Sequence, residues 1–348
     1  MAVMVPREKF AARSAELRPP RSTDQFVRRG VADQGPKTIV GARVESQPIM
    51  AHDVGLALLF GGSHIAIDGD ITFFEGVHPP YCVVGTGSDS VPAVEKTQHV
   101  DGPVLSTLHW NSVVYGHFLL ESLPQIAFFH ELDQLFPGIK VAVRAPWPRW
   151  IADIIGHFIP HDRIVRVPLD GAVATDRLIL VDCLLHRPPL SLHYSLQDIV
   201  HQAIDRAPKT DTPELIFLSR KKRREQWGDF RVWENEAEVS QALDGFTVID
   251  PDEVAWLDQV HLFANARCVV GEFSSALHNA IFSRPGTRLV AVNWVNHVQD
   301  IIAAAGGHEI SYILPDDGAP RIWAPKCPAQ AFRAVSYTHL TLPTTPYV

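Results

Sequence analysis

Apolar positions fall into short runs, and their spacing changes along the chain. Between Thr38 and about Gly85 the runs are Thr38–Val44, Gly55–Phe60, Ser63–Ile67, Ile71–Phe74 and Tyr81–Val84. Gly61–Gly62 and Asp68–Gly69–Asp70 separate some of them. Glycine pairs and D-G steps between β-rich runs predict hairpins. Residues 85–103 read as a loop. From Val104 the pattern alternates. Val104–His109 is strand-like, and Val113–Phe136 is helical, with Pro124 as a break or as the first turn of a second segment. Lys140–Arg144, Ile164–Val167 and Leu178–Asp182 are strand-like, whereas Arg149–Phe158 and Leu192–Ile204 are helical.

Ala207–Pro213 is rich in proline and charge and predicts a linker. Beyond it the alternation sharpens. Strands are expected at Leu215–Leu218, Phe246–Ile249, Cys268–Val270, Leu289–Val292 and Ile310–Leu314. Helices are expected at Glu236–Leu243, Ala255–Ala264, Ser275–Phe282 and Val298–Ala305. Asn235 is the expected N-cap of the first of these, with Glu238 at the capping-box position. Continuous apolar strands alternating with helices predict parallel sheets covered on both faces. The expected class is therefore α/β, with two Rossmann-like domains facing a cleft and a β-rich N-terminal extension. Ligands would sit at the carboxyl ends of the strands.

The expected boundaries are a poorly ordered leader at 1–36, an N-terminal domain at 37–206 whose residues 37–103 form the extension, and a C-terminal domain at 214–325. Ser336–Val348 carries four threonines and two prolines without an apolar period, and is set apart as a non-native tail.

Composition narrows the classes. The 348 residues suggest about two domains. Hydrophobic residues at 46% and charged residues at 20% allow a sizeable core and exclude wholesale disorder. A net charge of −8 argues against a nucleic-acid-coating surface. Cys82, Cys183, Cys268 and Cys327 are widely spaced, which excludes a zinc ribbon and points to free buried thiols. No apolar run reaches the ~18 residues of a membrane-spanning helix. Residues 1–29 lack the apolar segment of a secretory signal, so a cytoplasmic location is expected.

Three segments carry candidate chemistry. In HWNSVVYGHFLLESLPQI, His117 and Glu121 are four apart, so a helix places them on one face. A carboxylate can orient an imidazole or remove a hydroxyl proton itself. A plain surface His–Glu pair is the competing explanation, and Asn111 fits either a positioning role or a helix start. The second segment, Ser219–Arg224, follows a predicted strand. Arg220, first after the strand, suits a bidentate diphosphate clamp. The third is Gly271–Asn279, where a strand ends and small residues open a helix. Ser274 and Ser275 let backbone N–H groups approach a phosphate, or act as ordinary caps, and His278 and Asn279 lie in the first turn. Asp68–Gly69–Asp70 spells D-x-D but has turn chemistry. The 17 histidines form no H-E-x-x-H or H-x-H, so no metal site is expected.

Together these segments resemble glycosyltransferase family 61, the DUF563 group. The residues that match are Asn111, His117, Phe118, Leu119, Glu121, Leu123 and Pro124, then Ser219–Arg220, Arg231 and Asn235–Glu236. Gly245–Phe246, Pro251, Gln259, Phe263 and Ala266 follow, and then Gly271, Ser275, Leu277, Asn279, Phe282, Pro285 and Gly286. The resemblance covers about residues 104–315. Phe273 and Ser274 stand where many members have His and Gly, and the usual glutamate after the following strand is replaced by Ala291–Val292–Asn293.

The resemblance implies a GT-B-like fold and inverting transfer from a nucleotide-diphosphate sugar to a glycan hydroxyl. It implies no essential metal or other cofactor, and the bacterial setting of cell-surface polysaccharide biosynthesis. Glu121 and His117 would be catalytic, and Asn111 would position the acceptor. Arg220, Arg231, Gly271, Ser274, Ser275, His278 and Asn279 would bind the donor. The expected partners are donor and glycan, with peripheral membrane association left open and no nucleic acid. Two rivals remain: a nucleotide-sugar epimerase, and a catalytically inactive nucleotide-sugar- or carbohydrate-binding protein.

Overall fold

The computed structural model describes residues 3–29, 38–61, 65–67, 69–77, 93–109, 111–186, 191–222, 225, 235–292 and 296–313. Contacts divide the chain into two compact units, Met1–Val27 with Gly41–Ile199 and Arg28–Val40 with Val200–Val348. Both strands and helices are present, and the architecture is mixed α/β with parallel sheets.

In chain order the strands are β1 (Val3–Val5), β2 (Ser14–Arg18), β3 (Ser22–Arg29), β4 (Thr38–Glu45), β5 (Ile49–Phe60), β6 (Ile65–Ile67), β7 (Asp70–Phe74), β8 (Lys96–Ser106), β9 (Lys140–Ala145), β10 (Ile164–Pro168) and β11 (Gly171–Val181). β3 and β4 form a two-stranded sheet of their own. The others form a nine-stranded sheet ordered β1-β7-β6-β5-β11-β8-β9-β10, with β2 also on β5. The run β11-β8-β9-β10 is parallel throughout. β5 joins it antiparallel to β11, and β5-β6-β7 is an antiparallel meander. The β-rich segment thus shares one sheet with the parallel strands, its longest strand, β5, pairing antiparallel with β11.

Residues 3–18, expected to be part of a poorly ordered leader, instead contribute two strands. β1 pairs with β7, β2 pairs with β5, and Phe10 is buried between them in sequence. The reason is a buried acceptor far along the chain. Asp182 accepts from the Arg7 guanidinium, from His52 Nε2 at 2.9 Å and from the Met50 N–H at 2.9 Å. Arg18 adds a bidentate pair with Glu131, at 2.7 and 2.9 Å. Hydrogen bonding to Glu131 is the main cause that raises the Arg18 pKa above its ordinary value.

The stretch 85–103, expected as a loop, contains the start of β8. Its Lys96–Val100 half pairs only with β11, while β9 joins from Val104 onward. An edge half of this kind tolerates the polar residues that hid it. The helix expected at Val113–Phe136 is also subdivided, into Tyr115–His117, a π turn at Phe118–Ser122, Leu123–Ala127 and Phe129–Leu135. Pro124 lies in the first turn after the π segment. Proline cannot donate to the carbonyl four residues back and crowds it. Widening to an i→i+5 bond, Leu123 N–H to Phe118 O, absorbs that conflict and keeps the chain helical. Arg149–Gly156 is helical, close to expectation. A further helix runs Leu196–Arg206, and the Leu192 end expected for it is strand: β12 (Leu185–His186) pairs with β13 (Ser191–Leu192).

The second unit follows the alternation closely. β14 (Leu215–Leu218), β15 (Thr247–Ile249), β16 (Cys268–Glu272), β17 (Arg288–Val292) and β18 (Glu309–Ile313) form a parallel sheet ordered β15-β14-β16-β17-β18. This is the doubly wound order with a topological switch between its first and third strands. Phe217, Val239, Leu243, Cys268, Val270, Val290 and Val292 form a core cluster between the sheet and the helix Glu236–Ala242. Helices Trp256–Asn265 and His297–Gly306 match expectation within a residue or two, whereas Ser275–Phe282 is a 3-10 helix. Cys183 and Cys268 are buried. Burial pushes the Cys268 thiol up to about 12, against an opposing pull from Arg288. Among the described residues no helix is long and apolar enough to cross a membrane.

Candidate active site

In the first unit the chain leaves β8 at its carboxyl end and turns sharply. Thr107 is anchored on β9, its hydroxyl donating to Ala142 O at 2.9 Å. The Ser112 N–H bonds His109 O and the Val114 N–H bonds Asn111 O, so residues 109–114 form consecutive tight turns leading into the helix. This places His109, Asn111, His117 and Glu121 together.

Glu121 lies in the π turn with its side chain 3% exposed. Its Oε1 is 3.2 Å from His117 Nδ1, and its Oε2 is 3.5 Å from His109 Nδ1. His117 is 36% exposed. Asn111 Nδ2 is 3.5 Å from His117 Nε2. A carboxylate only accepts, so His117 presents Nδ1–H to Glu121, and Nε2 is the nitrogen left to accept a proton. The carboxylate is therefore the buried member and the imidazole the accessible one. A cavity of about 10 Å³ borders Ser106, His109, Glu121, Gln125 and Cys183, room for about one water.

In the second unit, Ser219 and Arg220 follow β14, and Phe273 and Ser274 follow β16, so the two predicted segments meet at the switch between those strands. The Ser219 hydroxyl donates to Glu236. Arg220, 17% exposed, places Nη1 3.4 Å from Glu272 Oε2. Glu272 is buried and ends β16. It orients the guanidinium from one side. Ser274 is the buried N-cap of the 3-10 segment, without a side-chain cap bond, and Ser275 is half-buried.

Some predicted site residues serve the scaffold. Asn279 is fully buried and donates to Gln259 Oε1 at 2.8 Å, while the Gln259 amide donates to Pro251 O and Val254 O, both at 2.9 Å. Asn279 is thus held inside the unit by the Gln259 amide. Gly271 is likewise a packing position, since a Cβ there would meet the Leu218 side chain at 3.1 Å. His278 is buried beneath the segment. Arg231 lies outside the described residues, as do Arg223, Arg224, Asp68, Asn293, Cys82, Cys327 and residues 336–348.

His109 and Glu272 were not singled out from the sequence, and Glu236 and Gln259 were named only as matching motif positions. His109 stands beside Trp110 and Asn111 in the quoted motif, which was its only signal. Elsewhere, His99 Nε2 lies 3.2 Å from Asp101 and 3.5 Å from Asp176, and these three exposed side chains are the cluster among the described residues with donor atoms close enough to share a cation.

The sequence model of the Glycosyltransferase 61 family matches residues 115–290, just over half of the chain. The match takes in His117, Glu121, Arg220 and the 271–279 junction, while His109 and Asn111 precede it. The comparison with curated proteins gives no match.

Proposed function

The chain belongs to glycosyltransferase family 61, a membership that implies glycosyltransferase activity, and on that premise we propose that it transfers a sugar from a nucleotide-diphosphate donor to a glycan hydroxyl with inversion. His117 Nε2 takes the proton of the acceptor hydroxyl. The freed oxygen attacks the anomeric carbon from the face opposite the nucleotide. The bond from that carbon to the diphosphate oxygen breaks, and its electron pair leaves with the phosphate. Glu121 holds the imidazole in its Nδ1–H form and stabilises the imidazolium that results. Asn111 steers the acceptor hydroxyl.

In the second unit, Arg220, oriented by Glu272, and the backbone N–H groups opening at Ser274–Ser275 neutralise the departing diphosphate. A division of labour between an acceptor-side and a donor-side unit is what a GT-B enzyme uses, and that arrangement is part of the proposal. So are metal independence, a cytoplasmic location and a place in cell-surface polysaccharide assembly. The observation that carries the reading is the half-buried His117 held 3.2 Å from the buried Glu121 carboxylate.

The test is a thermal-shift screen of the protein against UDP-, GDP- and dTDP-sugars, with CMP-sugars as controls and with and without EDTA. A ligand that binds the native state raises Tm, by about 2.7 kcal/mol of stability at 100 times Kd. One selective, EDTA-insensitive shift is expected. No shift with any of these donors would overturn the donor assignment, and a shift abolished by EDTA would overturn metal independence.

A further inference from the structure

The carboxylate of Glu121 has an imidazole on each side, and the chemistry above uses only one of them. The second is His109, at the end of the loop from β8, with its side chain 5% exposed. Its Nε2 is 3.0 Å from Ser122 Oγ, and Ser122 Oγ lies 3.2 Å from Thr107 O. Its Nδ1 is 3.5 Å from Glu121 Oε2. Ser122 follows Glu121 in the same π turn, so one imidazole spans two neighbouring side chains that the widened turn brings inward.

The ring's protonation follows from its partners. A carboxylate oxygen has only lone pairs to offer. An Nδ1 lone pair facing it in a buried setting is repulsive, and a proton on Nδ1 makes the contact attractive. The hydroxyl of Ser122 can turn toward Nε2 or toward Thr107 O, so the Ser122 side accommodates either state of Nε2. With the hydroxyl turned toward Nε2, the ring is neutral with its proton on Nδ1; with the hydroxyl on Thr107 O, Nε2–H donates to Oγ and the proton on Nδ1 makes the ring an imidazolium beside the carboxylate.

We propose that His109 is a positioning residue that presents Nδ1–H to Oε2 of Glu121 and so fixes the carboxylate whose Oε1 sets the tautomer of His117. The proposal rests on His117 being the base. His109 is too buried to touch an acceptor, and it acts through Glu121. It explains why an ionisable pair is enclosed here: the carboxylate is oriented from two sides, and the base nitrogen keeps one direction. A carboxylate held from one side only would rotate about its terminal bond, and His117 would sample both tautomers.

Imidazole ¹⁵N NMR at pH 7.5 tests this on the full chain, without substrate. In the wild type, His109 is expected to carry a proton on Nδ1, and His117 to carry one on Nδ1 with Nε2 unprotonated. His109→Asn keeps a donor near the Nδ1 position and should leave the His117 signals as in the wild type. His109→Gln keeps a donor near Nε2 and loses the one facing Glu121, so His117 should show averaged shifts from mixed tautomers. His109→Gln should also lower kcat about 10-fold at unchanged donor KM, the scale of one charge-assisted hydrogen bond. An unprotonated Nδ1 on His109 in the wild type would overturn the proposal, and that spectrum needs no variant to fold. An unchanged His117 spectrum in His109→Gln would overturn it as well. Near-normal turnover of His117→Gln would overturn the base assignment instead, while leaving the Nδ1 result standing.

Discussion

The order of two substitutions decides which residue takes the acceptor proton. Glu121 is 3% exposed and His117 36%, so in the proposed mechanism an acceptor meets the imidazole and not the carboxylate. Removing the base, as in His117→Ala, should lower kcat by about 10²- to 10⁴-fold, the range for general-base catalysis. Glu121→Gln keeps the shape and removes the charge facing His117 Nδ1 at 3.2 Å. A charge-assisted hydrogen bond contributes about 1.5–3 kcal/mol, which corresponds to roughly 10- to 150-fold in rate. The double variant should therefore fall little below His117→Ala alone, because the carboxylate acts through the imidazole. The assay is steady-state release of nucleoside diphosphate, with the donor that raises Tm and a glycan acceptor. Thermal denaturation of each variant shows whether a lost rate is a lost fold. A Glu121→Gln defect larger than that of His117→Ala would refute the reasoning and make the carboxylate the base. Losses that multiply fully in the double variant would also refute it.

Arg220→Ala should weaken donor binding about 10-fold or more in titration calorimetry, since it removes the guanidinium beside the β14–β16 switch; unchanged affinity would remove Arg220 from the donor site. Gly61→Ala should cost at least about 1–3 kcal/mol in urea unfolding, because its Cβ would fall 2.0 Å from Pro168 O, a backbone atom that cannot swing away. Cys268 should resist iodoacetamide in the native protein at pH 8 and react once unfolded, its thiol being pushed to about 12. The same shift makes its contribution to stability full below pH 9, the ordinary thiol value, and lost as pH rises toward 12. His308 behaves oppositely on the acid side. Burial lowers its pKa below 6.5, so its contribution is present above that pH and is lost as pH falls. His308→Gln should flatten the acid limb of a Tm–pH curve.

The second unit was legible because each of its strands is a short, continuous apolar run with a helix-length interval after it. Local pattern and tertiary structure agree there, to the residue at Leu215–Leu218 and within two residues at Cys268–Glu272, expected as Cys268–Val270. The first unit hid its start. What orders Val3–Arg18 is Asp182, 175 residues from Arg7, and no local period reports such a partner. The polar half of β8 was hidden by its edge position, since an edge needs no apolar face. His117 and Glu121 were readable from a four-residue spacing, but their opposite exposures were not, because the π turn that buries Glu121 answers to Pro124 downstream. The approach of Glu272 to Arg220 joins residues 52 apart, and it exists only once the parallel sheet brings two strand ends together. Asn279, named from its motif, bonds Gln259 twenty residues earlier, a partner that no local spacing reports.

The most direct test of the account is the anomeric configuration of the sugar in the first-formed product. The measurement is proton NMR of the reaction with the donor identified by thermal shift, followed from early time points with wild type and His117→Ala side by side. The account predicts a new glycosidic linkage of configuration opposite to the donor's, formed by the wild type and at least about 100-fold more slowly by the variant. A product that retains the donor's configuration, or one formed as fast without His117, would contradict it.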